Sequence, residues 1–246
     1  MCKSTDTVHK PVPINRYVIF RNEEIYYEGR IVDVLSDGNK TLYSIVSFAT
    51  FEYFRVTEHD LVAQTSLESK RKFRPSHICG NFTNLKMPSV LKNRLRADKD
   101  FCTVNYNDFR RNQNVIEVLK NYNFSKKTVF DVIQEFAEFF KTNSLIYEIN
   151  EMQEVVDGFV CLFNVFLPTA LLYEKEKGFL ELGMDFSTET DYTKIFGPVH
   201  LLRLLYFIQK NNERFNDDQY VQLVLSDYTV YLVDFLNFKY HDYFYN

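Results

Sequence analysis

The order of apolar and polar positions divides the chain in two. Between residues 16 and 62 the pattern is that of short strands. Arg16 to Phe20 is followed by Ile25 to Leu35, and Leu42 to Phe48 and Phe51 to Val56 resume the same pattern. These runs are dense in β-branched and aromatic residues, which favour a pleated, half-buried backbone. Asp37-Gly38 supplies a hairpin turn between the second and third runs. Four or five strands in about fifty residues are expected to close into a small barrel, because an open sheet of that size leaves both edges unprotected.

From Met87 onward the period becomes helical. Val129, Ile133, Phe136 and Phe140 recur at one face, widened by Val132 and Phe139, and Thr128 precedes them as an N-cap. Glu154 to Leu167 is apolar on nearly every side, the pattern of a helix buried at a domain centre. Pro168 is expected to end or kink it, because proline has no N–H to donate and clashes with the preceding turn. Gly197-Pro198 opens a further helix, with Leu201, Leu204, Leu205 and Ile208 on its inner face. Asp217 or Asp218 is placed to cap a last helix containing Leu223, Leu225, Leu232, Phe235 and Leu236.

Between the halves the periodicity lapses. Ser66, Ser69, Pro75, Gly80 and Asn81 surround the basic cluster Lys70, Arg71, Lys72 and Arg74. The segment reads as a linker, and the cluster as a nuclear localisation signal or a nucleic-acid patch. The charge distribution sharpens this. Lys70 to Lys127 holds 14 Lys and Arg against 4 Asp and Glu, although the whole chain carries a net charge of −4. A basic middle on an acidic chain suits either a local anionic partner or a solvated linker and helix face.

Composition narrows the classes further. The 246 residues include 24 Phe, 17 Tyr and no Trp, an aromatic load that excludes a disordered tail. Only 7 Gly and 6 Pro occur, which favours helices over most of the length. The longest apolar stretch, Phe159 to Leu167, contains Asn164 and falls short of the ~20 residues that span a bilayer. No membrane segment and no secretory signal are expected. Cys2, Cys79, Cys102 and Cys161 form no CxxC pair, so reduced thiols in a cytosolic or nuclear compartment are expected.

The chemistry of catalysis is thinly represented. The five histidines (His9, His59, His77, His200 and His241) sit in no HxH or HExxH setting. His200, inside FGPVHLLRLL, reads as a structural residue; an enzyme using it with Cys161 or Asp234 is the outside alternative. There is no GxxxxGK[ST] or GxGxxG loop. Carboxylate pairs such as Glu174/Glu176 read as a solvated face or a cap. No cofactor and no catalytic or metal-ligating residue is assigned. In the strand region, Tyr26, Tyr27, Phe48, Phe51, Tyr53 and Phe54 would either line a cage for a methylated ammonium or fill a small core.

Several longer motifs occur in a recognisable order. EVVDGFVCLFNVFLPTALLYEKE (Glu154–Glu176) and IFGPVHLLRLLYFI (Ile195–Ile208) resemble the MRG family of mortality-factor-related chromatin proteins, with its FNVxLxxxLLY helix and its HLLRL helix. MPSVLKNRL (Met87–Leu95) resembles the IPxxLKxxL opening of that family, and NFSKKTVFDVIQEF (Asn123–Phe136) its first long helix. YVIFRNEEIYYEGRIVDV resembles the opening strands of the family's chromo-barrel. The resemblance implies a mainly α-helical MRG domain at 86–246, a basic linker at 66–85 and a divergent chromo-barrel, a small SH3-like β-barrel, at 1–65.

It also implies a role. Family members are non-catalytic chromatin adaptors of histone acetyltransferase and deacetylase complexes, found in the nucleus. The implied methyl-lysine cage is Tyr27, Phe48, Phe51 and Phe54, with Arg21 in place of the family's His. The implied groove for short apolar partner segments is Leu95, Arg96, Lys99, Tyr173, Tyr206 and Phe207. Lys99 stands where the family often has Trp, and Phe207 where it often has Arg, which suggests altered partner motifs. The expected partners are chromatin-complex proteins, a histone tail or nucleosome at the barrel, and nucleic acid at the basic linker. Alternatively, the chain is a scaffold whose barrel no longer reads methyl-lysine and binds nucleic acid or only packs.

Overall fold

The computed structural model describes residues 11–37, 40–62, 87–104, 126–144, 148–174, 176–177, 190–211 and 219–245. The chain divides into two compact units: Met1–Cys79 with Asn143–Ile146, and Gly80–Thr142 with Tyr147–Asn246. Residues 66–85, with the basic cluster Lys70, Arg71, Lys72 and Arg74, lie outside the described residues, as do Asp217 and Asp218.

The first unit is a five-stranded antiparallel sheet. Its strands are β1 (Tyr17–Asn22), β2 (Ile25–Asp37), β3 (Lys40–Ser47), β4 (Tyr53–Thr57) and β5 (Leu61–Val62), in the order β4-β3-β2-β1-β5. Each strand run expected from the sequence is present within two residues of its limits; β5 is additional. β2 is long and its register with β3 shifts between Ile31 and Asp33. Such an irregularity bends a strand and increases its twist. The sheet coils far enough for Phe20 on β1 and Phe54 on β4 to touch, ring centroids 5.4 Å apart, although two strands separate them in the sheet order. Val18, Phe20, Ile31, Tyr43, Ile45 and Val56 form the core inside this curve. Gly29 is needed where β2 meets β3: a Cβ there would lie 2.3 Å from the Val46 carbonyl oxygen.

The second unit is helical. It contains α1 (Ser89–Val104), α2 (Val129–Asn143), α3 (Ile149–Phe166), α4 (Pro198–Asn211), α5 (Gln219–Phe238) and α6 (Tyr240–Phe244). Thr128 caps α2 reciprocally. The Asp131 N–H donates to Thr128 Oγ1 at 3.2 Å, and the Thr128 N–H donates to Asp131 Oδ2 at 2.8 Å. Phe136 and Phe140 on the buried face of α2 meet Phe235, Tyr228 and Tyr231 of α5 at centroid distances of 5.1–5.7 Å. On α4, Leu201, Leu204, Leu205 and Ile208 are fully buried, as their spacing predicts.

Two features of α3 differ from expectation. Its inner stripe of Val155, Val156, Phe159 and Phe163 is buried, but Cys161 and Val165 are exposed, so the helix is amphipathic rather than buried all round. The helix also lines an apolar groove of about 410 Å³ with α5, between Val155, Gly158, Cys161 and Leu162 on one side and Val221, Leu225 and Tyr228 on the other. The helical run is also longer than the apolar stretch. Ile149–Leu171 is 23 residues and contains an 18-residue window with a mean hydropathy of 1.5, long and apolar enough by itself to cross a membrane. A third of that window is buried in the helical unit, the stripe of Val155, Val156, Phe159 and Phe163 included.

Asn164 accounts for the polar break in that apolar run. Its Oδ1 accepts the Tyr192 N–H at 2.9 Å and its Nδ2 donates to Asp191 Oδ1 at 3.3 Å, holding the 3-10 turn Tyr192–Lys194 that leads into α4.

Candidate functional site

Pro168 builds one wall of the site. The α-helix stops at Phe166 and the chain continues through a π-helical turn, Leu167–Leu171, whose closing bond runs from the Leu172 N–H to the Leu167 oxygen at 3.3 Å. Proline lacks the donor that regular α-helical pairing requires, and a wider turn accommodates the loss. The turn ends with Ala170 and Leu171 facing a surface pocket, with Tyr173 just beyond.

Two helices supply the other walls at matching intervals. α1 contributes Lys92, Leu95, Arg96 and Lys99; α4 contributes Arg203, Tyr206, Phe207 and Lys210. Both sets follow i, i+3, i+4, i+7, the spacing that lines one helical face. The pocket they enclose is about 620 Å³ and open to solvent. All six groove residues inferred from the sequence, Leu95, Arg96, Lys99, Tyr173, Tyr206 and Phe207, line it together. Phe207 is braced from behind by Phe166, centroids 5.0 Å apart.

Under the pocket lies a buried ion cluster that sequence reasoning missed. Arg203 donates through Nε to Asp98 Oδ2 at 2.8 Å, and through Nη1 and Nη2 to the two Glu176 oxygens at 2.6 and 3.0 Å. Nη1 also reaches the Leu171 carbonyl at 3.0 Å, so the guanidinium holds the π turn directly. The Tyr173 ring lies against it, 3.9 Å from centroid to Cζ, and the Tyr173 hydroxyl donates to Asp98 Oδ2 at 3.2 Å. Arg203, Asp98 and Glu176 are all at most 5% exposed. A planar fork is suited to satisfying two carboxylates where water is excluded.

Of the two expectations for Glu174 and Glu176, a solvated face or a cap, the solvated face fits Glu174, whereas Glu176 is buried and fits only the cap. Glu176 is buried because Arg203 needs its charge matched there, while its backbone-directed bond to the Tyr173 N–H, at 2.7 Å, is still a cap. The sequence signal was Arg203 itself: a charged residue on the apolar face of a helix demands a counter-ion. His200, one turn earlier, is also buried, 3.7 Å from Glu176 Oε1 and edge-on to Phe196. Glu176 is thus a carboxylate beside His200, and Cys161 lies on the exposed face of α3.

Electrostatics follow from this enclosure. Burial pushes the Glu176 carboxyl up, but His200 and Arg203 outweigh it and hold it well below the usual carboxylate range. Burial and then Arg203 push His200 down, against the pull of Glu176, so it is held neutral. Burial also raises the Tyr173 hydroxyl, which stays protonated and able to donate.

The four sequence-inferred cage residues are divided by the structure. Tyr27 stacks on Phe54 at 5.1 Å and on Phe20 at 5.6 Å, and Phe54 meets Phe20 tilted, at 5.4 Å. The Tyr27 ring is therefore packed against two other rings. Phe48 is buried elsewhere, edge-on to Tyr17 at 5.4 Å. Phe51 sits in the turn between β3 and β4 with φ 56° and donates its N–H to the Ser47 oxygen. Arg21 is exposed at the end of β1, paired across the ladder with Tyr26. Among the described residues no group of three His, Cys, Asp or Glu is placed to hold a metal ion.

A coiled five-stranded antiparallel sheet precedes a mostly helical unit that bears an amphipathic pocket over a buried ion cluster, an arrangement consistent with a chromo-barrel-like unit followed by an MRG-type helical domain. The family model described as MRG matches residues 62–246, well over half of the chain, and the chain belongs to the MRG family. It is also 29% identical over 111 residues to the chromatin modification-related protein EAF3 of Kluyveromyces lactis. That match covers 44% of this chain and 31% of the relative, so it spans less than a third of that protein's length.

Proposed function

We propose that this protein is a nuclear chromatin adaptor, a non-catalytic subunit of histone acetyltransferase or deacetylase complexes that docks partner segments in the pocket between α1, α4 and the π turn. The observation that carries the reading is the convergence of Leu95, Arg96, Lys99, Tyr173, Tyr206 and Phe207 on one pocket in a chain of the MRG family. Its size and mixed character suit an apolar side chain with flanking backbone rather than a small metabolite. The relative named for chromatin modification points to the same setting. Purification of the tagged chain from its host tests this. Acetyltransferase or deacetylase subunits should co-purify and should be lost from a Tyr206→Ala/Phe207→Ala variant. Recovery of metabolic enzymes alone sinks the reading.

For the sheet unit, two versions compete: contact with nucleosomes or methylated histone tails, and a barrel that only packs or meets nucleic acid with the help of Lys70, Arg71, Lys72 and Arg74. The stacking of Tyr27 on Phe54 and Phe20 favours the second, because a methylammonium needs open ring faces. Titration with methylated and unmethylated histone-tail peptides separates them; methyl-dependent affinity eliminates the second.

A further inference from the structure

The rim of the α1–α4 pocket is charged in one sense. Lys92, Arg96 and Lys99 stand along one edge and Lys210 along the other, all four exposed. Among the described residues that line the pocket, none is Asp or Glu. Arg203, at the floor, is already held by Asp98 and Glu176, so the rim and not the floor faces the charge of a ligand. The centre between the two cationic edges is apolar, formed by Leu95, Leu171, Tyr206 and Phe207.

We propose that this pocket selects acidic partner segments: a peptide whose large apolar side chain fills the space between Leu95, Tyr206 and Phe207 while Asp or Glu residues on both flanks meet Lys92, Arg96, Lys99 and Lys210. The proposal rests on the docking reading above and adds the chemistry of the occupant. Three observations lead to it. The helical repeat sets the cations one turn above and below the apolar centre on α1 and one turn beyond it on α4, which is the spacing of charges flanking an anchor. The chain as a whole is acidic, with a net charge of −4, so the cationic rim is a local feature and not the average of the surface. The apolar centre favours a peptide over a nucleic-acid backbone, for which stacked aromatic platforms or a continuous basic groove are the usual provision. Complementary charge of this kind governs partner choice and association rate more than raw affinity.

Selection of random peptides displayed on phage, with the full chain as bait, tests the occupant without knowing it. Selected peptides are then measured against three proteins: the wild type, the pocket variant Tyr206→Ala/Phe207→Ala, and the rim variant K92Q/R96Q/K99Q/K210Q. Circular dichroism checks that each remains folded, and the rim changes are all at exposed positions. Peptides that depend on Tyr206 and Phe207 should carry two or more Asp or Glu around an apolar anchor. They should bind the rim variant about tenfold more weakly at low salt, and the difference should shrink as salt rises. Pocket-dependent peptides that lack acidic residues, or that bind the rim variant unchanged, overturn the acidic selectivity and leave docking intact. If no selected peptide depends on Tyr206 and Phe207, docking itself fails and this proposal with it. Duplex DNA that displaces the peptides at equal concentration overturns the proposal in favour of phosphate recognition.

Discussion

Replacing Arg203 by Met removes a cation shared by Asp98 and Glu176, and the structure fixes what remains. Two carboxylates stay in a region where Arg203, Asp98 and Glu176 are at most 5% exposed, and the Leu171 carbonyl loses its donor. Removing one partner from a buried ion pair costs about 3–5 kcal/mol, because the surviving charge is neither solvated nor paired. At roughly 2–4 °C per kcal/mol for a chain of this size, the melting temperature should fall by about 10 °C. With no Trp to report unfolding, far-UV circular dichroism during urea titration is the direct assay.

The pH dependence supplies a second, sign-specific readout. In the wild type, Glu176 and His200 both bind protons less readily when folded than when unfolded. Their contribution is complete above the unfolded values and is lost on acidification, from about pH 6.5 downward for His200 and from about pH 4.5 downward for Glu176. Each proton of difference gives a slope of about 1.4 kcal/mol per pH unit. In Arg203→Met, the remaining influence of burial raises the Glu176 carboxyl, and the Glu176–His200 pair takes up a proton in the folded state. The stability gap between variant and wild type should therefore narrow as pH falls from 7 to 5. A cost below 1 kcal/mol, or an unchanged gap across that range, would refute the account of this cluster as a charge-matched unit.

Other outcomes follow from separate parts of the molecule. Gly29→Ala should destabilise the sheet unit by about 1–3 kcal/mol in thermal melts, since the clash is with Val46 backbone, which cannot rotate away. Thr128→Ala should cost about 1 kcal/mol in urea titration by breaking the cap of α2, and Thr128→Ser should restore most of it. Tyr243→Phe deletes the 2.6 Å bond from its hydroxyl to Glu135 and should cost about 1–2 kcal/mol by the same measurement. Under native conditions iodoacetamide should alkylate Cys161 and spare Cys102, which sits beside Arg203 and Glu176; mass spectrometry showing equal labelling would contradict the buried placement of Cys102.

The elements were legible in the sequence where one residue type had one physical use. The β-branched runs of β1 to β4, the Thr128 cap, Pro198 at the head of α4 and the leucines behind it each stand where their chemistry put them. Pro168 was legible as an interruption but not as a π turn, because the outcome depends on what receives the freed groups, and Arg203 is thirty-five positions further along the chain. The burial of Glu176 was not legible for the same reason. Its local context, beside the exposed Glu174, is that of a surface turn, and only the folded arrangement of α1 and α4 brings Arg203 to it. The six pocket residues, Arg96 and Lys99 among them, were reached through family resemblance, while the joining of Lys92 and Lys210 to those two as a cationic rim depends on α1 and α4 facing one pocket.

The position of the ion cluster separates the base of the pocket from its edge. Arg203 and Tyr173 belong to both the cluster and the pocket wall: each touches Asp98, and each lines the cavity. A change at either one alters the fold and the docking surface together, so neither is free to tune partner choice. Lys99, exposed on α1, and Phe207, half-buried on α4, touch the pocket without joining the Arg203–Glu176 contact. They are also the two groove positions at which the resemblance read in the sequence implies a departure from the family pattern. Substituting Lys99→Trp and Phe207→Arg together should therefore change which peptides are selected by more than tenfold in relative affinity while leaving urea-induced unfolding within about 1 kcal/mol of the wild type. A large loss of stability with unchanged peptide preference would reverse the assignment, making these rim residues structural and leaving specificity to the floor.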